Sequence, residues 1–430
     1  MAIKGVLSFT ILLCCLCYCG KVEGGHRKLS RKEDLEIEKQ LKLLNKPPLK
    51  TIKTESEDIY DCIDFYKQPA FDHPLLKNHT YHYEMRPISP NKRMIEKKAA
   101  EAGEPLEIGL KGEGCPIGTV PIRRTTKEDL IRAKLFAETY ASRFNPLTNE
   151  WPGLHKAIIQ TKYDPVKRYN GGGGMFSVYQ PSVSGSQFSS AQMTIQSGSD
   201  SIKVGWTVNP SLYGDTKTRL FTFFKAGSTF CFNTRCPGFV IVNTHLPLDI
   251  IVMPISTRGG PIYKLNLFVY REEVSGRWWL EVGPSYTKVG YWPPNIFSGL
   301  KDLATYIEWG GEAYSVPGQP GPPMGSGEFL FGDTSQDAFC RQATTVDEAH
   351  EPQDAENTQT FADDTGSYNV HDWGIRGLML SSEVGYEKPH SKIFEAALDQ
   401  INVEACKAVH VGDDEKADKL GANAIGIDCW

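Results

Sequence analysis

Between His155 and Phe331 the chain is cut into short β-type runs by Gly, Pro, Asn and Asp, and no long helical period fits there. "FVIVN" (Phe239–Asn243), "DIIVMPI" (Asp249–Ile255), "YKLNLFVYR" (Tyr263–Arg271) and "WWLEVG" (Trp278–Gly283) are examples. In "IKVGWTV" (Ile202–Val208) apolar and polar residues alternate with the period of a half-buried strand. Asn209-Pro210 and Gly214-Asp215 then supply turn chemistry. Such spacing predicts a sandwich or barrel for the middle of the chain, and a mainly β fold class. Because Trp206 stands three residues after Lys203, period-2 alternation sends the two side chains to opposite faces of their strand.

At 430 residues, with 40% hydrophobic and 23% charged residues, the chain can build two or three domains with real cores. A net charge of −5 gives no attraction for nucleic acid or an anionic membrane. Lys4 precedes the apolar run "GVLSFTILLCCLCYCG", too short to span a bilayer and suited to a signal peptide over residues 1–24. A secreted protein with no membrane tie after cleavage is expected. Four of the eleven cysteines leave with that leader. In an oxidising compartment pairing is the default: "CFNTRC" predicts a local Cys231–Cys236 disulfide, and Cys62 with Cys115 is a possible second pair. Asn78 in "NHT" is a glycosylation acceptor on an expected surface loop.

Composition shifts along the chain. Residues 25–145 begin with a helical pattern (Leu35, Ile37, Leu41, Leu44) stopped by Pro47-Pro48, and continue Pro-rich and irregular. The β-type domain is expected over 150–332, an acidic disordered linker over 333–380, and a short α/β fragment over 381–430. "YNGGGGMF" (Tyr169–Phe176) lacks the Lys-Ser/Thr of a phosphate loop and reads as a flexible loop. His245 has no neighbour at metal-ligand spacing. No metal or cofactor is expected. Trp206, Tyr291, Trp292 and Trp309 are candidates for a groove that accepts proline rings, with a place in the core equally open for such large side chains.

"DIYDCIDFYKQPAFDHPLLKNHTYHYEMRP" and "CPIGTVPIRRTTKEDLIRA" resemble the activation segment of the plant neprosin family. "VGWTVNPSLYGDTKTRLFTFF", "CFNTRCPGFV", "GRWWLEVG", "VGYWPPNIF" and "YIEWGGEAYSVP…MGSGEF" resemble its catalytic domain. The resemblance implies a secreted glutamic endopeptidase acting beside proline, made as a zymogen, with an antiparallel two-sheet β-sandwich. It also implies processing near Arg143–Pro152 and proline-containing peptides as partners.

Peptide hydrolysis by two carboxylates needs one to take a proton from water and one to protonate the leaving amide. The family's Gly-Gly-Glu is present here and ends in Glu312, with Glu308 a weaker candidate. The other family Glu, just before Val-Gly-Trp, is replaced by Lys203. Lys203 facing Glu312 would pair with it and hold it ionised, which removes the acid–base couple. Glu272, Glu273 and Glu281 are the alternatives should another carboxylate enter the groove. If catalysis is lost, the expected alternative is an extracellular member that binds proline-rich cell-wall peptides.

The tail, "GYEKPHSKIFEAALDQINVEACKAVHVGDDEKADKLGANAIGIDCW" (Gly385–Trp430), resembles the C-terminal part of haloacid-dehalogenase-like hydrolases. That resemblance would give Lys388 the role of stabilising an aspartyl intermediate and set Asp413 and Asp418 at a magnesium site. The nucleophile strand is missing upstream, because "FADDTG" (Phe361–Gly366) is not on an apolar run, and the tail is expected to be catalytically empty.

Overall fold

The computed structural model describes residues 30–85, 87, 106, 108–134, 152–329, 336–372, 388–401, 405, 409–410 and 415–429. The expected leader, the processing stretch before Pro152, and Asp413 lie outside them.

The N-terminal segment opens with helix α1 (Arg31–Leu44), where the Ser30 side chain and Glu33 cap each other's backbone N–H groups. Ile37 and Leu44 bury their side chains against Leu130. Three short strands follow: β1 (Lys50–Lys53), β2 (Ile59–Asp64) and β3 (Thr119–Arg123), paired antiparallel in that order. A disulfide joins Cys62 of β2 to Cys115.

The strands β4 (Leu154–Thr161), β5 (Gly171–Ser177), β6 (Phe188–Ser197), β7 (Asp200–Val208), β8 (Arg219–Ala226), β9 (Thr229–Phe232), β10 (Val240–Ile241), β11 (Lys264–Arg271), β12 (Trp278–Val282), β13 (Thr287–Trp292), β14 (Tyr306–Tyr314), β15 (Cys340–Val346), β16 (Pro352–Asp354) and β17 (Thr358–Ala362) build two seven-stranded sheets. One runs β10-β13-β12-β11-β5-β15-β16 and the other β17-β4-β14-β6-β7-β8-β9. Every ladder in them is antiparallel. The fold is therefore the expected β-sandwich, with one apolar core between its sheets. Cys231, within β9, and Cys236, just beyond it, form the expected disulfide.

Two expectations fail here. "YNGGGGMF" is not a flexible loop: its glycines form β5, an interior strand between β11 and β15. A Cβ on Gly173 would sit 2.6 Å from Phe268, and one on Gly174 3.2 Å from the Trp309 ring, so bulky neighbours occupy the space that glycine leaves. Of the expected linker over 333–380, the described residues 336–372 are not unstructured either. Within them β15 and β16 extend one sheet and β17 extends the other, so polar, acidic composition hides three edge-side strands. Edge strands bury less apolar surface, which is why hydrophobic patterning missed them.

In the tail, a helix (Ser391–Ile401) and the parallel bridge of Val409–His410 with Asp428–Cys429 surround a separate small cluster of Ile393, Phe394, Ala422 and Ile427. A chain ended after Gly332 should lose β15 to β17, leave β5 and β4 each paired on one side only, and come out insoluble or without a cooperative thermal transition. A soluble truncated domain melting within a few degrees of the full chain would overturn that expectation.

Candidate active site

Antiparallel register lines side chains of the second sheet into rows on its outer face. One row is Lys156 (β4), Glu312 (β14), Ser190 (β6), Thr207 (β7) and Arg219 (β8). The next is Ile158, Gly310, Gln192, Gly205 and Phe221. The third is Gln160, Glu308, Thr194, Lys203, Phe223 and Phe232. Two glycines in the middle row leave bare backbone, so long side chains from the rows on either side can reach across it.

They do so. Lys203 Nζ lies 2.5 Å from Glu312 Oε1. Lys156, directly opposite Glu312 in the ladder, places its Nζ 3.3 Å from the same oxygen and 3.0 Å from Glu308 Oε1. The Tyr306 hydroxyl lies 2.6 Å from both Glu308 Oε2 and Gln160 Oε1, with one proton to give. The result is an alternating array, Glu308–Lys156–Glu312–Lys203, whose formal charges cancel. Gln192, whose Oε1 accepts from Ser190 Oγ at 3.0 Å, packs its side-chain amide against the Glu312 carboxylate.

The electrostatics follow from this geometry. Burial by itself would raise the Glu312 carboxyl above its ordinary value, but Lys203 first and Lys156 second outweigh it and bring it down to about 2. Burial likewise works against a charged Lys156, yet Glu312 and Glu308 push its ammonium well above the usual lysine range. The Glu312 carboxylate is thus held in its ionised form by two ammonium groups.

A groove opens above this array, with Phe188, Phe221, Phe223 and Phe232 among its walls beside Gln192, Lys203 and Glu312. Phe188 stacks on Tyr314 with ring centroids 5.5 Å apart, and Lys203 Nζ stands 5.9 Å from the Phe223 centroid. The expected meeting of Lys203 and Glu312 is thus found, and Glu308 shares the site through Lys156. The four aromatic groove candidates are not in it. Trp206 and Trp309 point into the core, donating their indole N–H to Ser177 O (2.9 Å) and Gly173 O (2.8 Å) of the opposite sheet. Trp292 packs on Phe239 in the first sheet, and Tyr291 is buried beside Trp279 and under Tyr81 of the N-terminal segment. Their size and apolar surface were better used in the core than in a groove.

Glu281 lies on β12 of the other sheet, opposite Lys288, and Glu272 lies just beyond β11. Neither shares a ladder with Glu312. His245 is an exposed loop residue whose Nδ1 sits 2.8 Å from Thr244 Oγ1. Asn78 is exposed, as an acceptor must be. Lys388 lies at the start of the tail, well away in sequence from any described carboxylate pair. Sequence reasoning missed Lys156, Gln192, Tyr306 and the four phenylalanines. Lys156 carried the same signal as Lys203, a lysine set among apolar residues of a strand, but its partner is fixed by register alone.

Because Glu312 has a depressed folded-state pKa, its ionised partnership stabilises the fold above its ordinary value of 4.5, and this contribution disappears as pH falls toward about 2. Lys203→Met should therefore cost about 1–3 kcal/mol at neutral pH, Lys156 remaining as partner. The gap in melting temperature between wild type and variant should hold from neutral pH to about 4.5 and close below it. A gap that widens on acidification would show that the pair does not act in this direction.

Family models match at three places: neprosin over residues 185–383, neprosin activation peptide over residues 51–155, and HAD-hydrolase-like over residues 385–430. The chain is 45% identical over 51 residues to a ribulose-1,5-bisphosphate 5-phosphatase from Halopiger xanaduensis, a stretch that is 12% of this chain and 21% of that relative. Among solved structures, scytalido-glutamic peptidase with a peptide-based transition-state analogue is similar at 12% identity and a TM-score of 0.29, over 50% of this chain and 90% of that one. A β-porphyranase from Bacteroides plebeius is similar at 10% identity and a TM-score of 0.20, over 66% and 88%. With the activation-peptide and neprosin models matching in order over most of the sandwich and the segment before it, the chain belongs to the neprosin family.

Proposed function

We propose that this protein is a secreted, non-hydrolysing member of its family, which keeps the peptide groove and has exchanged the acid–base couple for an ion pair. The observation that carries this reading is the 2.5 Å contact between Lys203 Nζ and Glu312 Oε1. A glutamic peptidase needs two carboxylates of different protonation in one groove. Here one of the two positions holds an ammonium, and the remaining carboxylate is neutralised from both sides. Two disulfides support an extracellular setting.

The ligand best suited to the groove is a proline-containing peptide of no net charge. The array on its floor sums to zero and offers no field to a charged ligand, while the phenylalanine walls supply flat apolar faces for pyrrolidine rings. Binding would then come from ring stacking and backbone hydrogen bonds rather than from charge.

Wild type and Lys203→Glu should be compared at acid pH on one proline-containing peptide, with hydrolysis followed by mass spectrometry and binding by fluorescence titration. Wild type should bind without cutting, and the variant should gain at least about 10²-fold in hydrolysis. Rapid cutting by the wild type, or a folded variant that gains nothing, would refute the exchanged-couple reading.

A further inference from the structure

The N-terminal activation segment does not rest on the sandwich as a detachable cover. Its Tyr60, Ile63, Phe65, Phe71, Leu76 and Val120 belong to the same continuous apolar core as the strands of the β-domain. Tyr81 meets Tyr291 edge-on at 5.5 Å, and the Arg277 guanidinium lies over both rings, at 4.8 and 5.3 Å.

At the edge of the first sheet, Gln68 takes the place of a neighbouring strand. Its Oε1 accepts from Ile241 N (2.8 Å) while its Nε2 donates to Ile241 O (3.1 Å). Nearby, Leu110 N donates to His245 O and Cys115 N to Thr244 O. Gly114 approaches so closely that a Cβ there would lie 2.6 Å from the His245 ring.

At the end of the row that begins with Lys156 and Glu312, Arg219 is 1% exposed and binds Asp58 of the activation segment at 2.9 Å and Asp215 of its own turn at 2.6 Å. Asp58 in turn takes Arg123 at 3.1 Å, and Arg123 and Arg132 both face Asp129. On the sandwich side, Asp249 lies among Arg235, Arg123 and Arg219. Each partner brings two arginines and two aspartates to this cluster, with Arg132 and Asp215 at its partly exposed rim, so each surface is neutral by itself and complementary to the other.

We propose that the activation segment is a permanent subunit of this protein, remaining bound to the sandwich as a separate chain once the connection between them is cut. Separation would expose a sheet edge, an aromatic patch and eight matched charges together, and both surfaces would favour rejoining. Neither disulfide crosses the junction, so these contacts alone hold the pieces. The inference is independent of whether the groove cuts peptides.

The test places a site-specific protease sequence between residues 135 and 151 of the full chain, cuts it to completion at neutral pH, and applies size-exclusion chromatography in about 1 M salt, where exposed ion pairs are screened. The two chains should co-elute; a segment eluting alone overturns the proposal. Gln68→Ala in the same cut protein should release the segment at least about tenfold faster, since it strands both polar groups of Ile241, while the uncut variant keeps its cooperative melt. Equal release rates from the cut parent and a folded cut variant would overturn the docking assigned to Gln68.

Discussion

Two indole N–H groups that cross the sandwich set the geometry on which the site depends. Trp206 on β7 and Trp309 on β14 each donate to a carbonyl of β5 in the opposite sheet. That fixes which way both strands face, because successive side chains alternate. Lys203 and Glu312 each lie three residues from one of these tryptophans, and both are therefore turned outward into the groove. β5 can accept the Trp309 indole because Gly174 leaves room for the ring. Core packing and site geometry are thus one constraint.

That constraint lets a lysine stand at position 203 without disturbing the scaffold. The position of Lys203 is a groove position on a rigid strand, and a lysine there costs little as long as a carboxylate faces it. Glu312 is that carboxylate. Lys156 and Glu308 extend the pairing to a neutral array, so no charge in the site is left without an opposite neighbour. An array of this kind keeps a buried polar groove stable, because each carboxylate has an ammonium beside it.

The same row of side chains links the groove to the activation segment. From Glu312 the row passes through Ser190 and Thr207 to Arg219, three strands or roughly 14 Å away. At Arg219 the β-domain hands its charge to Asp58. Burial opposes the ionised form of Asp58, and Arg219 with Arg123 more than restores it, holding its carboxyl below the usual range. The groove floor and the charged part of the docking surface are therefore built along one row of one sheet, by the same device of buried opposite charges.

The family resemblance implied the two-sheet sandwich and the meeting of Lys203 with Glu312, and Cys62–Cys115 was one possible pair; the amino-acid sequence by itself determined a mainly β fold, the Cys231–Cys236 disulfide and the helix at Arg31–Leu44. Those features rest on local signals: period-2 alternation, turn residues, cysteine spacing, and motifs continuous in the chain. The tertiary structure decided everything that depends on register between distant strands. Lys156 meets Glu312 across 156 residues of chain only because β4 pairs with β14 in one register. The glycine run became an interior strand because Phe268 and Trp309 fill the space above it, and the acidic stretch beyond Gly332 became β15 to β17 because both sheets had edges to extend. Trp206, Tyr291, Trp292 and Trp309 went to the core rather than the groove for a related reason: composition records that a side chain is large and apolar, and only packing assigns the face on which it is buried.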